Sequence, residues 1–73
     1  MSELRILGRI GDIKISWNSE NEIEVAAAKE TFEKRIKEGW SAFIEKIGIK
    51  GEKIKIFDPD ADRIVLVPPI SGG

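Results

Sequence analysis

Residues 63–69 read Arg63-Ile64-Val65-Leu66-Val67-Pro68-Pro69, and the architecture turns on them. Ile64 to Val67 are apolar on both faces, which fits a central strand rather than an edge. Pro68 and Pro69 end it, because proline has no N–H to give to a ladder. Working back, Asp58-Pro59-Asp60-Ala61-Asp62 reads as a turn or a single helical turn. Residues 52–57 alternate, with Ile54 and Ile56 inward against Lys53 and Lys55. Gly48 and Gly51 bracket a turn that joins this strand to another over residues 41–47, whose face assignment is ambiguous.

Before these strands lies a helix, predicted over residues 21–38. Ser19-x-x-Glu22 and Asn21-x-x-Glu24 each fit a capping box. Glu20, Glu22 and Glu24 crowd the first turn, where the helix dipole favours acids. Val25, Ala28, Phe32 and Ile36 recur at helical spacing as one apolar stripe. Gly39 is placed to cap the end. Residues 4–17 read as a hairpin with Gly11-Asp12 at a type II′ turn. In that register Ile10 faces Ile13 and Ile6 faces Trp17, and Leu4, Ile6, Ile10, Ile13, Ile15 and Trp17 share one face. Arg5, Arg9, Lys14 and Ser16 share the other, with Leu7 the apolar exception. One helix and four to five strands make an α+β arrangement, a mixed sheet with the helix packed on one face.

Composition narrows the chemistry. Seventy-three residues suffice for one domain with a small core. Twelve basic and thirteen acidic residues leave a net charge of -1, so the bulk positive charge that drives nucleic-acid binding is absent. There is no cysteine and no histidine, which removes thiol nucleophiles, disulfides, imidazole bases and Cys/His zinc sites. Ser16, Ser19, Thr31 and Ser41 have no evident general base, so the chain is not expected to be an enzyme by itself. No apolar run approaches membrane-spanning length and residues 1–10 lack a signal-peptide layout, so a cytoplasmic protein with no membrane partner is expected. Asp58, Asp60 and Asp62 have the spacing that opens a calcium loop. Its sixth position holds Arg63 instead of Gly and its twelfth Pro69 instead of Glu, so a solvated turn is expected and no metal.

The run Arg63-Ile64-Val65-Leu66-Val67-Pro68-Pro69-Ile70-Ser71-Gly72-Gly73 resembles the C-terminus of the β-grasp sulfur carriers and ubiquitin-like modifiers. The likeness is greatest to the small subunit of molybdopterin synthase: an apolar strand, Pro-Pro, two residues, then Gly-Gly. Asp60 and Asp62 resemble the acidic turn ahead of that strand. The resemblance implies a β-grasp (ubiquitin-like) domain over residues 1–67, with the first and last strands parallel at the centre of the sheet, and an extended tail over 68–73. It also implies that a partner adenylating enzyme uses ATP to activate the Gly73 carboxylate, with no cofactor bound to this chain. The acyl-adenylate then yields a thiocarboxylate for sulfur delivery or an isopeptide bond to a protein lysine. A sulfurtransferase, a larger synthase subunit or lysine acceptors are the further partners implied.

The residues of the tail suit that chemistry. Gly72 and Gly73 have minimal width and free backbone torsions for a narrow cleft. Pro68 and Pro69 favour an extended exit, which lowers the ordering entropy of docking. Ser71 is small and able to hydrogen-bond. If Ile64 and Leu66 pack under the helix, Val65 and Val67 lie on the open sheet face near Leu7. That face is then a partner-docking surface, unless loops cover it or the faces are reversed. The rival reading is a non-covalent β-grasp interaction module with an inert tail.

Overall fold

In the computed structural model, which describes residues 1–8 and 11–69, a hairpin of β1 (Ser2–Leu7) and β2 (Asp12–Trp17) leads into helix α1 (Glu22–Lys37). β3 (Ser41–Lys46), β4 (Ile49–Ile54) and β5 (Arg63–Val67) follow. The sheet order is β2-β1-β5-β3-β4. β5 lies at the centre, parallel to β1 and antiparallel to β3. One helix on one face of this five-stranded mixed sheet is an α+β fold of the β-grasp type.

α1 forms where its caps are strongest. The Asn21 side chain accepts from the backbone N–H of Ile23 and Glu24 at 3.0 and 3.1 Å, satisfying two of the first-turn donors. Glu24 reaches back beyond Asn21 and accepts from the Asn18 N–H at 2.8 Å, so the box is closed one turn earlier than its usual form. At the other end Gly39 takes φ +97°, and the N–H groups of Gly39 and Trp40 donate to the carbonyls of Ile36 and Arg35. That pair of bonds is a Schellman motif. Ala28 and Phe32 are fully buried, with Val25 and Ile36 packed at the margin.

The β1–β2 hairpin keeps the expected face and changes the expected register. Ile6 lies opposite Ile13, Leu4 opposite Ile15 and Ser2 opposite Trp17. Ile6 therefore does not face Trp17, and the connection spans residues 8–11 instead of two residues at Gly11-Asp12. The expected pairings of Ile10 and placement of Arg9 lie outside the described residues. The slip from the expected alignment is an even number of residues. Side-chain alternation has a period of two, so an even slip leaves every residue on its original face. Apolar patterning thus settled parity and left the register to the turn.

β4 differs more. It occupies Ile49–Ile54, not residues 52–57. The chain reverses at Ile47-Gly48, and Gly51 is inside the strand. Pairing with β3 jumps from Ile44–Glu52 to Glu45–Lys50, leaving Gly51 as the extra residue of a bulge at φ +75°. The bulge inverts the alternation, so that Ile49 and Ile54, an odd number of residues apart, both pack against the core. Ile56, expected inward, is 81% exposed. The strand has already ended, and the bend at 55–56 carries Phe57 inward instead. Phe57 then meets Trp17 and Phe32 with ring centroids 5.1 and 5.6 Å apart. The indole N–H of Trp17 donates to the Pro59 carbonyl at 3.0 Å, closing the core beneath the 58–62 turn.

Two substitutions test this account by urea denaturation. Phe32→Ala should cost about 3–5 kcal/mol, because a fully buried aromatic leaves a cavity. Gly51→Ala should cost about 1–2 kcal/mol, because an L-residue is forced into the left-handed region. If Gly51→Ala is as stable as the parent, the bulge does not set the register of β4.

Candidate functional site

The root of the tail is set by β5. Val67 lies opposite Ser41, after which Pro68 is half-buried and Pro69 is exposed. The antiparallel alignment carries Pro69 past the Schellman turn, where a Cβ built on Gly39 would sit 3.8 Å from the Pro69 Cβ. Beside this exit the Arg35 guanidinium lies 5.0 Å from the Trp40 ring centroid. Arg35 also donates from Nη1 to Glu38 Oε1 at 3.2 Å. The tail residues Ser71, Gly72 and Gly73, singled out from the sequence together with Ile70, lie outside the described residues.

At the opposite end of β5 the 58–62 turn is anchored to the sheet. Asp58 Oδ1 accepts from the Asp60 N–H at 2.9 Å, and Lys46 Nζ donates to Asp58 Oδ2 at 3.0 Å. The Lys46 hydrogen bond, with the Asp60 N–H, holds the Asp58 carboxyl below its usual range despite partial burial. The same bond and the charge of Asp58 raise Lys46. The turn is stitched to the sheet as well, since the Glu3 N–H donates to the Asp62 carbonyl and the Asp62 N–H to the Glu45 carbonyl.

The register places the open face, opposite α1, in cross-strand rows. One row runs Ser16, Glu3, Arg63, Glu45, Lys50 from edge to edge. Within it Arg63 donates from Nε to Glu3 Oε1 at 3.1 Å and from Nη1 to Glu45 Oε2 at 3.3 Å, so its charge is matched. Partial burial pushes the Glu3 carboxyl up, but the hydrogen bond and charge of Arg63, helped by Lys14 and Arg5, hold it below its usual value. The next row runs Lys14, Arg5, Val65, Phe43, Lys53. Leu7 and Val67 follow on the same face, opposite Asp12 and Ser41 respectively. Leu7, Phe43, Val65 and Val67 are each half-buried, while Ile64 and Leu66 are fully buried on the α1 side.

The three residues named from sequence for docking, Leu7, Val65 and Val67, therefore share the open face. Phe43 joins them and escaped notice, because residues 41–47 do not alternate cleanly. Only the β3–β5 register shows that Phe43 sits beside Val65. Among the described residues, no helix is long and apolar enough to cross a membrane. No family model, no curated protein and no solved structure matches this chain.

The Lys46–Asp58 pair has a signed pH dependence. Asp58 is depressed on folding, so its contribution is present above the unfolded carboxylate pKa and is lost as pH falls through the folded value. Lys46 is raised, so its contribution is present below the ordinary lysine pKa and is lost as pH rises through the raised one. Asp58→Asn keeps the Oδ1 acceptor and removes the charge. Urea denaturation at roughly pH 7 and pH 3 should show the variant less stable at the first, with a smaller gap at the second. A gap of equal size at both values refutes the assignment.

Proposed function

We propose that this chain is a ubiquitin-like carrier whose reactive group is the Gly73 carboxylate, activated by a partner adenylating enzyme. The observation that carries the reading is the parallel pairing of β1 with β5 at the sheet centre. It puts the last strand in the most constrained place in the fold and sends the chain out past Pro68 and Pro69. Two prolines after a rigid strand favour an extended backbone, which lowers the ordering entropy of docking into another protein's cleft. The reading also agrees with a composition that offers no cysteine or histidine, since the reacting atom belongs to the backbone.

The chemistry balances with partners named by class. A carboxylate oxygen of Gly73 attacks the α-phosphorus of ATP, and pyrophosphate leaves. A sulfide-level donor then attacks the acyl carbon, AMP leaves, and a thiocarboxylate forms. With a lysine amine as nucleophile, AMP again leaves, an amide forms and the amine proton passes to a base. The sulfur-carrier and modifier branches share the first step. The chain itself needs no bound cofactor, and a cytoplasmic setting supplies both ATP and a reducing environment for sulfur transfer.

The test is intact-mass spectrometry of the chain incubated with ATP and adenylating enzymes of this type. The expected result is an ATP-dependent adduct or thiocarboxylate on the parent chain and none after deletion of Gly72 and Gly73. An equal product from the truncated chain, or none from the parent across such enzymes, overturns the proposal.

A further inference from the structure

We infer that Trp40, held in place by Arg35, is a positioning residue for the tail. It fixes where the chain leaves the sheet and so governs how readily an activating enzyme captures the chain end. The capture step rests on the carrier reading above; the anchoring of the root does not.

The register carries the argument. Ser41 opposite Val67 is the last pair of the β3–β5 ladder. Pro68 and Pro69 have no N–H, so they cannot donate to a continued ladder. The alignment nevertheless persists for two more positions. A Cβ built on Gly39 falls 3.8 Å from the Pro69 Cβ, and Gly39 and Pro69 are each two residues beyond the Ser41–Val67 pair. Trp40 therefore stands opposite Pro68. Alternation puts this pair on the α1 side, the side of the fully buried pair Ala42 and Leu66. Trp40 is packed against the core and Pro68 is half-buried. With no ladder hydrogen bond from either proline, side-chain packing is what keeps the root aligned.

Trp40 is itself firmly held. Its N–H donates to the Arg35 carbonyl at 3.0 Å within the Schellman turn. The Arg35 guanidinium lies 5.0 Å from its ring centroid, within the range of a cation–π contact. Glu38 steadies the same guanidinium from Nη1 at 3.2 Å. Arg35 Nε is sealed from solvent without a hydrogen-bond partner among the described residues. Leaving that donor unmet is unfavourable, so the guanidinium is placed by the ring and by Glu38 rather than by its own best hydrogen bonding. The indole is thus a fixed platform between α1 and the first residue of the tail.

The consequence falls on capture. With Trp40 in place the exit direction is set at Pro68, before the extended preference of the two prolines takes over. Without it the fixed part of the chain ends at Val67, more orientations open to the chain end, and docking has more entropy to remove. Trp40 does not touch the reacting carboxylate, so the chemistry that follows capture is unchanged.

Two measurements on the full chain test this. The first needs no enzyme. In NMR spectra of the parent, the Pro68 ring protons should be shifted upfield by the Trp40 ring and show cross-relaxation with the indole. Trp40→Ala should abolish both, Trp40→Phe should keep them in part, and Arg35→Ala should shrink them. The second is pyrophosphate exchange with an adenylating enzyme that accepts the parent. Trp40→Ala should raise KM for the chain by roughly tenfold with kcat within about twofold, as expected when binding rather than transition-state contact is lost. Trp40→Phe should recover most of the loss. Dispersed amide spectra identify folded variants, and if Trp40→Ala unfolds, Arg35→Ala carries both measurements with smaller changes. Pro68 signals indifferent to Trp40→Ala overturn the inference whatever the enzyme does. Lost Pro68 shifts with an unchanged KM, or a fall in kcat alone, overturn the role in capture. No activation of the parent overturns the carrier reading and the capture step with it, while the Pro68 signals still decide whether Trp40 anchors the root.

Discussion

The fold depends on β5 being paired along both of its edges. β1–β2 and β3–β4 are two hairpins, and an isolated hairpin is marginal in water. β5 is the strand that joins them, parallel to one and antiparallel to the other. It does so with Ile64 and Leu66 completely buried against α1 and Val65 and Val67 on the far face. A one-residue slip of this strand would turn Ile64 and Leu66 away from the core. The ion pair from Glu3 to Arg63, sixty positions along the chain, shows how non-local this closure is. Such long-range pairing must meet its loop-closure entropy before the contacts are gained, which slows folding relative to a helical protein of this size.

The same strand positions both the root of the tail and the apolar strip of the open face. Its C-terminal end leads to half-buried Pro68 and exposed Pro69, and its open face carries the centre of the apolar strip. Its N-terminal end is held by the 58–62 turn, where Asp58 meets Lys46 and Phe57 plugs the core beside Trp17. Fixing β5 at its root and along its length leaves the tail as the segment beyond the ladder.

Several features were legible because they are local. The caps of α1 lie within one turn of the residues they serve, so spacing pointed to Gly39 and narrowed the N-cap to Ser19 or Asn21, of which the structure uses Asn21. The unbroken apolar run of β5 told of a central strand, although Val65 and Val67 on the open face are only half-buried. The β4 region was misread for an equally physical reason. Alternation from Glu52 to Phe57 is real in the sequence, but a bulge at Gly51 inverts parity, and no local pattern announces a bulge. Ile56 and Phe57 are both apolar and adjacent. Which one enters the core is decided by Trp17 and Phe32, which are remote in sequence. Phe43 was missed similarly, since its role comes from a neighbour twenty-two positions away on β5.

By itself the sequence determined the α+β composition, the extent of the helix, the parity of the first hairpin and the central place of residues 63–67. All of these follow from periodicity and from hydrogen bonds that close within a few residues. Tertiary structure alone decided the register of β1 against β2, the course of β4 and the grouping of Leu7, Phe43, Val65 and Val67 between two cationic flanks. Side-chain alternation repeats every two residues and is blind to even slips, whereas cross-strand partners are chosen by the turn, the bulge and the packing of the whole sheet.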